Sequence, residues 1–292
     1  MMPSAAAWPI SDPVRRLGLG TVQFGQAYGV SNTGGQVPLA EAQAMLARAA
    51  QAGVAVLDTA ANYGQAEEVL AQCDKRAFRI VSKTASVKNG VAAVIARARQ
   101  SVQSLGRVDV LLVHAAADLL GPDGEKLWHA LRELKEEGAV GAIGISAYAA
   151  DDPAALAWRF HPDVMQIPFS LLDQRLLQDG SLAMLKDIGV EVHARSLFLQ
   201  GLLFMETVPE KLRNAAPLLA RVRHLIAAAR ATPLAAALGF VLSQPEVDVA
   251  VVGATGRHEL DEIFAGARAP LPELDWTACA LEDARILTPS LW

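Results

Sequence analysis

Cysteine is scarce in this chain of 292 residues, and its distribution limits the chemistry that the protein can perform. The two cysteines, Cys73 and Cys279, lie far apart and form no spacing typical of metal ligands. A disulfide-rich scaffold and a cysteine zinc site are therefore excluded. We expect two reduced thiols in a reducing compartment, and no bound metal.

Long apolar runs and basic clusters are also missing. No apolar stretch approaches the roughly 18 residues that a membrane-spanning helix needs, and residues 1–9 lack the basic and apolar regions of a signal peptide. The formal net charge of −5 and the sequence pI of about 5.7 are not typical of nucleic-acid binding. These absences predict a cytoplasmic protein with no membrane or nucleic-acid partner.

What the chain does have is a regular alternation of short β-like runs and longer helical patterns. Hydrophobic residues make up 52% of it, enough for a large buried core, and no Pro/Gly/Ser-rich linker divides it. Such alternation predicts parallel strands, and eight units in a chain of this length favour a closed barrel over an open sheet. We predict an α/β fold, a (β/α)₈ TIM barrel. It forms a single domain over residues 1–292, with residues 1–15 as a poorly structured N-terminal extension.

The boundaries of the units follow from the apolar runs and the helical periodicity. The predicted strands cover residues 16–24, 54–58, 78–83, 108–114, 139–146, 163–167, 190–195 and 247–253. The predicted helices cover residues 39–52, about 65–73, 90–105, 124–137, 176–188, 208–230 and 233–243, and two more begin at Pro153 and near Arg257.

Four polar residues lie at or just beyond the ends of three successive strands: Asp58, Tyr63, Lys83 and His114. In a parallel barrel these ends meet at one rim, where the active sites of such barrels lie. A free tyrosine, with a pKa of about 10, is a poor acid at neutral pH, and a nearby ammonium favours its phenolate. Lys83 can supply that charge and Asp58 can hold it in place. His114 can orient a carbonyl while Tyr63 acts as general acid, or as general base in the reverse direction.

Other interpretations of the same residues remain open at this point. Taken alone, Asp58 fits a turn or helix N-cap, His114 a structural histidine, and Tyr63 packing at the rim. Lys83 also fits the Schiff-base lysine of a barrel lyase or aldolase. Their coincidence at successive strand ends favours a shared site. Because none of the four can supply a hydride, reduction would require a nicotinamide or flavin cofactor.

The order of several motifs resembles the aldo-keto reductase superfamily, from about Leu17 to Phe264. The matching segments are residues 17–21 (LGLGT), 57–64 (LDTAANYG) with Glu67 and Glu68, 82–84 (SKT), 108–114 (VDVLLVH), 141–146 (GAIGIS) and 165–167 (MQI). The resemblance implies a (β/α)₈ barrel that binds NADP(H) or NAD(H) without a Rossmann domain. It also implies that Asp58, Tyr63, Lys83 and His114 form a catalytic tetrad acting on a small carbonyl or alcohol substrate.

The resemblance further implies a set of cofactor-binding residues along the rim. Ser146 and Gln166 would hold the carboxamide, residues 195–201 would run along the nicotinamide and pyrophosphate, and residues 253–257 would hold the adenosine end. The full set is Gly20, Thr21, Asp58, Ser146, Gln166, Arg195, Ser196, Leu197, Gln200, Gly201, Gly253, Thr255, Arg257 and Glu262.

Three positions depart from the family pattern. Ala147 follows Ser146 where the family commonly has asparagine, and Arg195 stands where an aromatic residue often stacks on the nicotinamide. Glu259 stands where many NADP-dependent members have arginine, although Arg257 lies close enough in sequence to take the 2′-phosphate. We expect NADP(H), with NAD(H) as the alternative.

The substrate is the least readable feature. Phe24 and Tyr28, in the first strand–helix loop, are predicted to form an apolar wall of the substrate pocket beside His114, and aldehydes are the expected class. A non-catalytic nicotinamide-binding sensor or subunit is the alternative that the family resemblance leaves open.

Overall fold

The computed structural model describes residues 12–292 and contains eight parallel strands that close into a barrel in the order β1 to β8. The predicted (β/α)₈ architecture is confirmed. The strands are β1 Leu17–Gly20, β2 Val56–Asp58, β3 Arg79–Lys83, β4 Val110–Val113, β5 Ala142–Ser146, β6 Val164–Pro168, β7 Glu191–Arg195 and β8 Val249–Gly253.

The period of two along each strand divides the core into two parts. One small cluster fills the barrel interior and consists of Val56, Val81, Val110, Leu112, Val164 and Val249, with Ala142 and Val251 against it. The alternate residues, such as Leu57 and Ile80, pack with the surrounding helices in a much larger cluster. Residues that share the inward parity with Val56 and Val81 therefore line the inside of the barrel, and Asp58 and Lys83 are among them.

Helices surround the barrel and most follow the predicted periodicity. They are α1 Val22–Gly25, α2 Leu39–Ala52, α3 Ala66–Ala71, α4 Val91–Leu105, α5 Ala117–Leu120, α6 Gly124–Glu136, α7 Pro153–Phe160, α8 Arg175–Gln178, α9 Ser181–Asp187, α10 Ala216–Ala228, α11 Pro233–Ser243, α12 Arg257–Arg268 and α13 Ala284–Leu287. Gly53 and Gly106 end α2 and α4 in the left-handed conformation that glycine adopts most easily.

The first predicted strand is too long. β1 stops at Gly20, and Val22–Gly25 forms a helical turn instead. The Thr21 N–H and hydroxyl both donate to the Asp58 carbonyl oxygen, at 2.9 and 3.0 Å, as the last contacts between β1 and β2. Thr21 itself leaves the extended conformation, with φ −118° and ψ 13°, and the chain turns into the helix.

Three other predictions need correction or fall partly outside the described residues. Residues 1–11 of the predicted N-terminal extension lie outside them, but Pro13–Arg16 forms a 3₁₀ helix with Val14 fully buried, so that part is not poorly structured. The helix predicted over 176–188 breaks at Gly180, where φ is 81°. The segment 208–230 begins with the 3₁₀ helix Glu210–Ala215 before α10.

No single helix within residues 12–292 is long and apolar enough to cross a membrane. One pair of helical segments, Glu210–Ala228 and Pro233–Ser243, has the length and apolar composition of a membrane span when the two are taken together, but the pair is bent by 85°.

Candidate active site

The barrel brings the four predicted catalytic residues to one end. Asp58 and Lys83 are the last residues of β2 and β3, and His114 directly follows β4. Tyr63 lies in the loop between β2 and α3. The strand register aligns Asp58 with Val81 and Lys83 with Leu112, so the polar side chains succeed inward-facing apolar ones at the carboxyl end of the barrel.

Lys83 is the centre of this constellation. Its side chain is 1% exposed, and its Nζ donates to Asp58 Oδ1 at 2.6 Å, the Thr59 carbonyl oxygen at 3.0 Å and the Tyr63 hydroxyl at 3.3 Å. Burial opposes the charged form, but the Asp58 carboxylate and the Tyr63 hydroxyl outweigh it, so the pKa of Lys83 is raised above its usual value. Lys83 is therefore held as an ammonium, with all three donors in use.

Asp58 is fixed from two sides. While Oδ1 accepts from Lys83, Oδ2 accepts from Gln166 Nε2 at 2.6 Å. Gln166 lies in the middle of β6 and is 1% exposed. A buried carboxylate needs such partners because burial without them is costly. The two contacts leave Asp58 one orientation, which aims Lys83 at Tyr63.

Tyr63 and His114 form the upper layer of the site. Their rings meet edge to face with centroids 5.7 Å apart, and Lys83 Nζ lies 4.9 Å from the Tyr63 ring centroid. Burial, together with the charge of Lys83, lowers the pKa of His114 to about 4. His114 is therefore a neutral imidazole at pH 7, and its buried Nδ1 has no hydrogen-bond partner among the described residues.

Two glycines fix the loop that carries Tyr63. A Cβ on Gly64, where φ is 54°, would lie 2.3 Å from the Gly25 carbonyl oxygen, and a Cβ on Gly25 would lie 1.7 Å from the Tyr63 carbonyl oxygen. Only glycine at both positions allows this close approach of backbones. The first loop of the barrel therefore buttresses the Tyr63 loop.

Glu67, which follows the 57–64 motif in the sequence, anchors the same loop through its carboxylate. It is buried, and its carboxylate accepts from Ser82 Oγ at 2.7 Å, Arg97 at 2.6 Å and Ser101 Oγ at 2.9 Å. Arg97 also reaches the Ala61 carbonyl oxygen at 3.4 Å. This network ties the residue before Lys83 to the loop before Tyr63.

Arg195 and two tyrosines stand at the mouth of the site. The Arg195 guanidinium lies 4.2 Å from the ring centroid of Tyr148, and the Tyr28 hydroxyl accepts from Gln200 Nε2 at 3.1 Å. Sequence reasoning missed Tyr148, although its place two residues beyond the predicted strand end at Ser146 was a usable signal. The structure contradicts the pocket role predicted for Phe24, which is fully buried in the outer core and offers no surface to a substrate.

The residues predicted to bind a cofactor form an arc around this end of the barrel. Ser146 and Gln166 are neighbours in the β5–β6 register. Ser196, Gln200 and Gly201 all have positive φ, so the segment after β7 is a sharply turned loop, and Leu197 is buried beneath it. Gly20 and Gly253 are paired at the ends of β1 and β8.

The far end of the arc carries three carboxylates, of which sequence reasoning named Glu259 and Glu262 but not Glu41. Glu41, in α2, accepts from the Arg257 backbone N–H at 2.8 Å and from Arg257 Nε at 3.2 Å. Glu259 accepts from the Thr255 N–H at 2.7 Å. Glu262 lies 3.7 Å from His258 and is exposed. The N-terminus of α12 is thus already in contact with two negative side chains.

The unpartnered buried atoms bear on whether a cofactor fits here. Five buried side-chain atoms lack a hydrogen-bond partner within residues 12–292. Gln23 Oε1, Thr59 Oγ1 and His114 Nδ1 belong to residues that follow β1, β2 and β4, whereas His193 Nδ1 lies within β7 and Glu246 Oε2 precedes β8. Buried polar atoms are normally satisfied, so a group of exceptions at one end of a barrel indicates a ligand-binding site. This end fits an extended polar ligand.

Comparison with known proteins gives the family. Residues 16–281 match the Aldo/keto reductase family. An uncharacterized oxidoreductase of Mycobacterium tuberculosis (strain H37Rv) is 30% identical over 289 residues, 87% of this chain and 84% of that protein. An NADH-specific methylglyoxal reductase of Escherichia coli is 27% identical over 197 residues, 61% of this chain and 60% of its own.

Solved structures agree on the fold. An aldo-keto reductase from Bacillus halodurans in its holo form superposes with a TM-score of 0.71 at 19% identity, covering 88% of this chain and 87% of that chain. A putative aldo-keto reductase from Pseudomonas aeruginosa gives 0.63 at 23% identity, with 86% and 89% covered. The chain belongs to the aldo-keto reductase family, whose members are oxidoreductases acting on small carbonyl compounds and generally using nicotinamide cofactors.

Proposed function

We propose that this protein is a nicotinamide-dependent oxidoreductase that reduces aldehydes or ketones to alcohols, or catalyses the reverse reaction, with Tyr63 as the general acid or base. The observation that carries the proposal is the position of Lys83 Nζ, 2.6 Å from Asp58 and 3.3 Å from the Tyr63 hydroxyl, in a buried site. A fixed ammonium beside a phenol stabilises the phenolate that remains after proton transfer.

Each residue of the tetrad then has one task. Tyr63 gives its proton to the carbonyl oxygen as negative charge develops there. Lys83 stabilises the tyrosinate, and Asp58, itself held by Gln166, keeps Lys83 charged and in place. His114, neutral at working pH because its pKa is about 4, donates a hydrogen bond to the same oxygen and orients the substrate. Because His114 carries no acidic proton at pH 7, Tyr63 is the better acid.

The cofactor, when bound, supplies the hydride. The proposed binding residues are those named from the family resemblance, with Ser146 and Gln166 holding the carboxamide. Gln166 Nε2 already donates to Asp58, which leaves its Oε1 to accept from the carboxamide. The loop from Arg195 to Gly201 would border the nicotinamide and pyrophosphate. Residues 253–257, together with Glu262, would border the adenosine end.

The contacts of Arg257 weigh against the sequence-based preference for NADP(H). A 2′-phosphate at this position would have to displace Glu41 from Arg257 and approach Glu259, and both are negatively charged. NAD(H) carries no 2′-phosphate and meets no such repulsion. The similarity to a reductase named as NADH-specific supports the same direction. We therefore propose that NAD(H) is accepted at least as well as NADP(H).

The two alternative functions fare differently. A Schiff-base lyase needs a neutral nucleophilic lysine, whereas the pKa of Lys83 is raised and its three donors are occupied. A non-catalytic sensor would not need the ordered contact between Lys83 and Tyr63, and no specific observation favours it.

The proposal is tested by following NADH and NADPH oxidation with a panel of aldehydes, for the wild type and for Tyr63→Phe. We expect turnover in the wild type and a fall in kcat of about 100- to 10,000-fold in the variant, because general acid catalysis contributes on that scale. Cofactor affinity, measured by fluorescence titration, should be retained. Tight cofactor binding without turnover of any carbonyl or alcohol would favour the sensor.

A further inference from the structure

We propose that Arg195 is a carboxylate receptor in the substrate pocket, and that the preferred substrates are aldehydes or ketones that carry a carboxylate within reach of the reacting carbonyl. This inference rests on the proposed function for its reaction, and it names the substrate class of that same site. It is carried by a guanidinium that stands at the mouth of the tetrad with most of its hydrogen-bonding capacity unused.

The contacts of Arg195 are few and long. One terminal nitrogen donates to the Ala147 carbonyl oxygen at 3.3 Å and the other donates to Ser196 Oγ at 3.4 Å. No carboxylate of the described residues forms an ion pair with it, although most of the described arginines have one, Arg97, Arg175 and Arg257 among them. A guanidinium has five N–H donors in a planar fork that matches a carboxylate. Arg195 therefore has donors free for a ligand.

The guanidinium faces the reaction site. Arg195 is the last residue of β7, with the same inward parity as the fully buried His193. It lies over the ring of Tyr148. Its charge also contributes to the lowered pKa of His114, after burial and Lys83. Because the Arg195 guanidinium lies over Tyr148 and its charge acts on His114, it borders the space between these two residues.

The tyrosines define the same space. The chain has three, Tyr28, Tyr63 and Tyr148. Arg195 lies over the ring of Tyr148 at 4.2 Å, and the Tyr28 hydroxyl accepts from Gln200, in the loop that follows Arg195, at 3.1 Å. Burial is the main reason why the pKa of Tyr28 is raised; Tyr63 and Tyr148 raise it further and Arg195 lowers it, so these three groups act on Tyr28. Two tyrosine rings and a guanidinium around a general acid form a pocket with polar edges and apolar faces, which is how small-ligand sites are built.

The balance of charge in this pocket favours an anion. Lys83 and Asp58 cancel each other within a distance of 2.6 Å, and His114 is neutral at pH 7 because its pKa is about 4. Among the described side chains that border the pocket, Arg195 thus contributes the uncompensated charge. As the first residue of the 195–201 loop, Arg195 would lie at the nicotinamide end of the proposed cofactor site, beside the substrate, while Ser196 to Gly201 would continue along the pyrophosphate. A partly buried cation without a counter-ion attracts one from solution, and a substrate carboxylate can fill that role.

The experiment compares matched substrates that differ in one charge. The pairs are 4-carboxybenzaldehyde with benzaldehyde, and succinic semialdehyde with butanal, each assayed for kcat/KM with NADH and NADPH. We expect the charged member of at least one pair to be favoured about 10- to 100-fold, as one charge-assisted hydrogen-bonded contact allows, mainly through KM. The ratio should fall towards one in Arg195→Gln and be kept in part in Arg195→Lys. Arg221→Gln, an exposed arginine elsewhere, is the charge-matched control.

A binding measurement separates this inference from the proposed function. Calorimetric titration with benzoate and with benzamide, with and without cofactor, should show Arg195-dependent binding of benzoate alone. If no aldehyde turns over but benzoate still binds in this way, the proposed reaction fails and the carboxylate site stands. Equal kcat/KM values within each pair, together with no benzoate binding, would overturn the site. It would also be overturned if Arg195→Gln weakened cofactor binding and slowed charged and neutral substrates equally.

Discussion

The two ends of the barrel carry similar charged side chains on the same strands, but they use them differently. At the amino end, Arg79, the first residue of β3, forms a 2.5 Å ion pair with Glu191, the first residue of β7. These strands are not neighbours, so the pair spans the barrel. Glu191 also contacts the buried Nε2 of His193 at 2.7 Å. At the carboxyl end, Lys83 closes β3 and Arg195 closes β7.

The two ends differ in the hydrogen-bond donors that remain without an acceptor. Burial would raise the pKa of Glu191, but hydrogen bonds from His193 and Arg79 lower it to about 2, so the charged groups of the amino end are paired with one another. The one buried polar atom of this cluster without a partner among the described residues is His193 Nδ1, which a ligand does not reach because it faces the closed interior of the barrel. At the carboxyl end the charges are held just as firmly, yet Tyr63, His114 and Arg195 keep donors that no described residue accepts. Donors that are left free in this way can bind a substrate or a cofactor. We therefore expect changes at the carboxyl end to affect activity and changes at the amino end to affect stability, as in other barrels of this kind.

The strongest test of this distinction is Lys83→Met. The variant leaves the Asp58 carboxylate buried without its cation, which costs about 3–5 kcal/mol in the free energy of unfolding. It also removes the charge that supports Tyr63, so kcat should fall at least about 100-fold. Both are measured by urea denaturation and steady-state kinetics.

Lys75→Met is the matched control for this variant. Lys75 donates to the Leu70 and Cys73 carbonyl oxygens in a surface turn far from the tetrad. It should lower the stability slightly and leave kcat unchanged. A Lys83→Met enzyme with normal kcat would remove Lys83 from the proposed mechanism.

Acid should weaken the carboxyl end before the amino end. The folded-state pKa of His114, about 4, is below the usual 6.5, so its contribution to stability is complete above pH 6.5 and is lost as the pH falls to about 4. The folded-state pKa of Glu191 is about 2, below the usual 4.5. The contribution of Glu191 to stability is therefore complete above pH 4.5 and is lost only as the pH falls towards 2. Over pH 6.5 to 4, His114 alone should contribute a slope approaching about 1.4 kcal/mol per pH unit, about 3 kcal/mol in total.

The measurement is the free energy of unfolding of the wild type, His114→Gln and Glu191→Gln between pH 7.5 and 4.5. The loss of stability should flatten in His114→Gln, while Glu191→Gln should keep the wild-type slope. If the slopes of the wild type and His114→Gln agree, His114 is not a buried neutral group. For the same reason kcat/KM of the wild type should show no inflection near pH 6.5 from this residue.

The converse variant, Glu191→Gln, should affect stability alone. It breaks the pairing of Arg79 and leaves His193 buried without its carboxylate partner. Because Arg79 and Glu191 are each about a third exposed, the loss should be about 1–3 kcal/mol, below the range of a fully buried pair. The kcat of the folded enzyme should change less than about twofold. A large fall in kcat would show that the two ends of the barrel are coupled.

The sequence could predict the features that depend on local pattern. Continuous apolar runs locate the eight strands, and Asp58, Lys83 and His114 were found because each directly ends or follows such a run. The helix after Gly20 was missed because apolar residues continue through Val22 and Phe24, so the local pattern does not show that the chain leaves the extended conformation at Thr21. Local apolar character also misassigned Phe24, since it does not say whether a side chain faces a pocket or the outer core.

Pairings between distant residues could not be predicted. The Arg79–Glu191 pair joins residues 112 apart, and the Arg257–Glu41 bond joins residues 216 apart. No period or motif links such positions, and the closed barrel alone brings them together. The sequence therefore indicates Arg257 and Glu259 as neighbours of a 2′-phosphate but gives no sign of Glu41.

Arg257 offers a milder way to sharpen the contrast between satisfied and unsatisfied charges. Arg257 is paired with a carboxylate, Glu41, as Arg79 is paired with Glu191 at the amino end. Arg257 lies, however, at the rim where the cofactor is proposed to bind. Removing that partner with Glu41→Gln should free Arg257 for a 2′-phosphate. The affinity ratio of NADPH to NADH should rise about two- to fivefold, in keeping with the modest worth of exposed ion pairs. Fluorescence titrations of both cofactors measure this ratio.

The double variant Glu41→Gln/Glu259→Gln should raise the ratio further, because the second carboxylate also faces the N-terminus of α12. Asp261→Asn removes one negative charge, as Glu41→Gln does, and lies on the same helix as Glu259. It affects a pair with Arg48 instead of Arg257, and it should leave the ratio unchanged. Raising the salt concentration should shrink the effect of Glu41→Gln, since exposed charges are screened. An unchanged ratio in the double variant would mean that these carboxylates do not face the cofactor, and the adenosine end would have to be sought elsewhere on the rim.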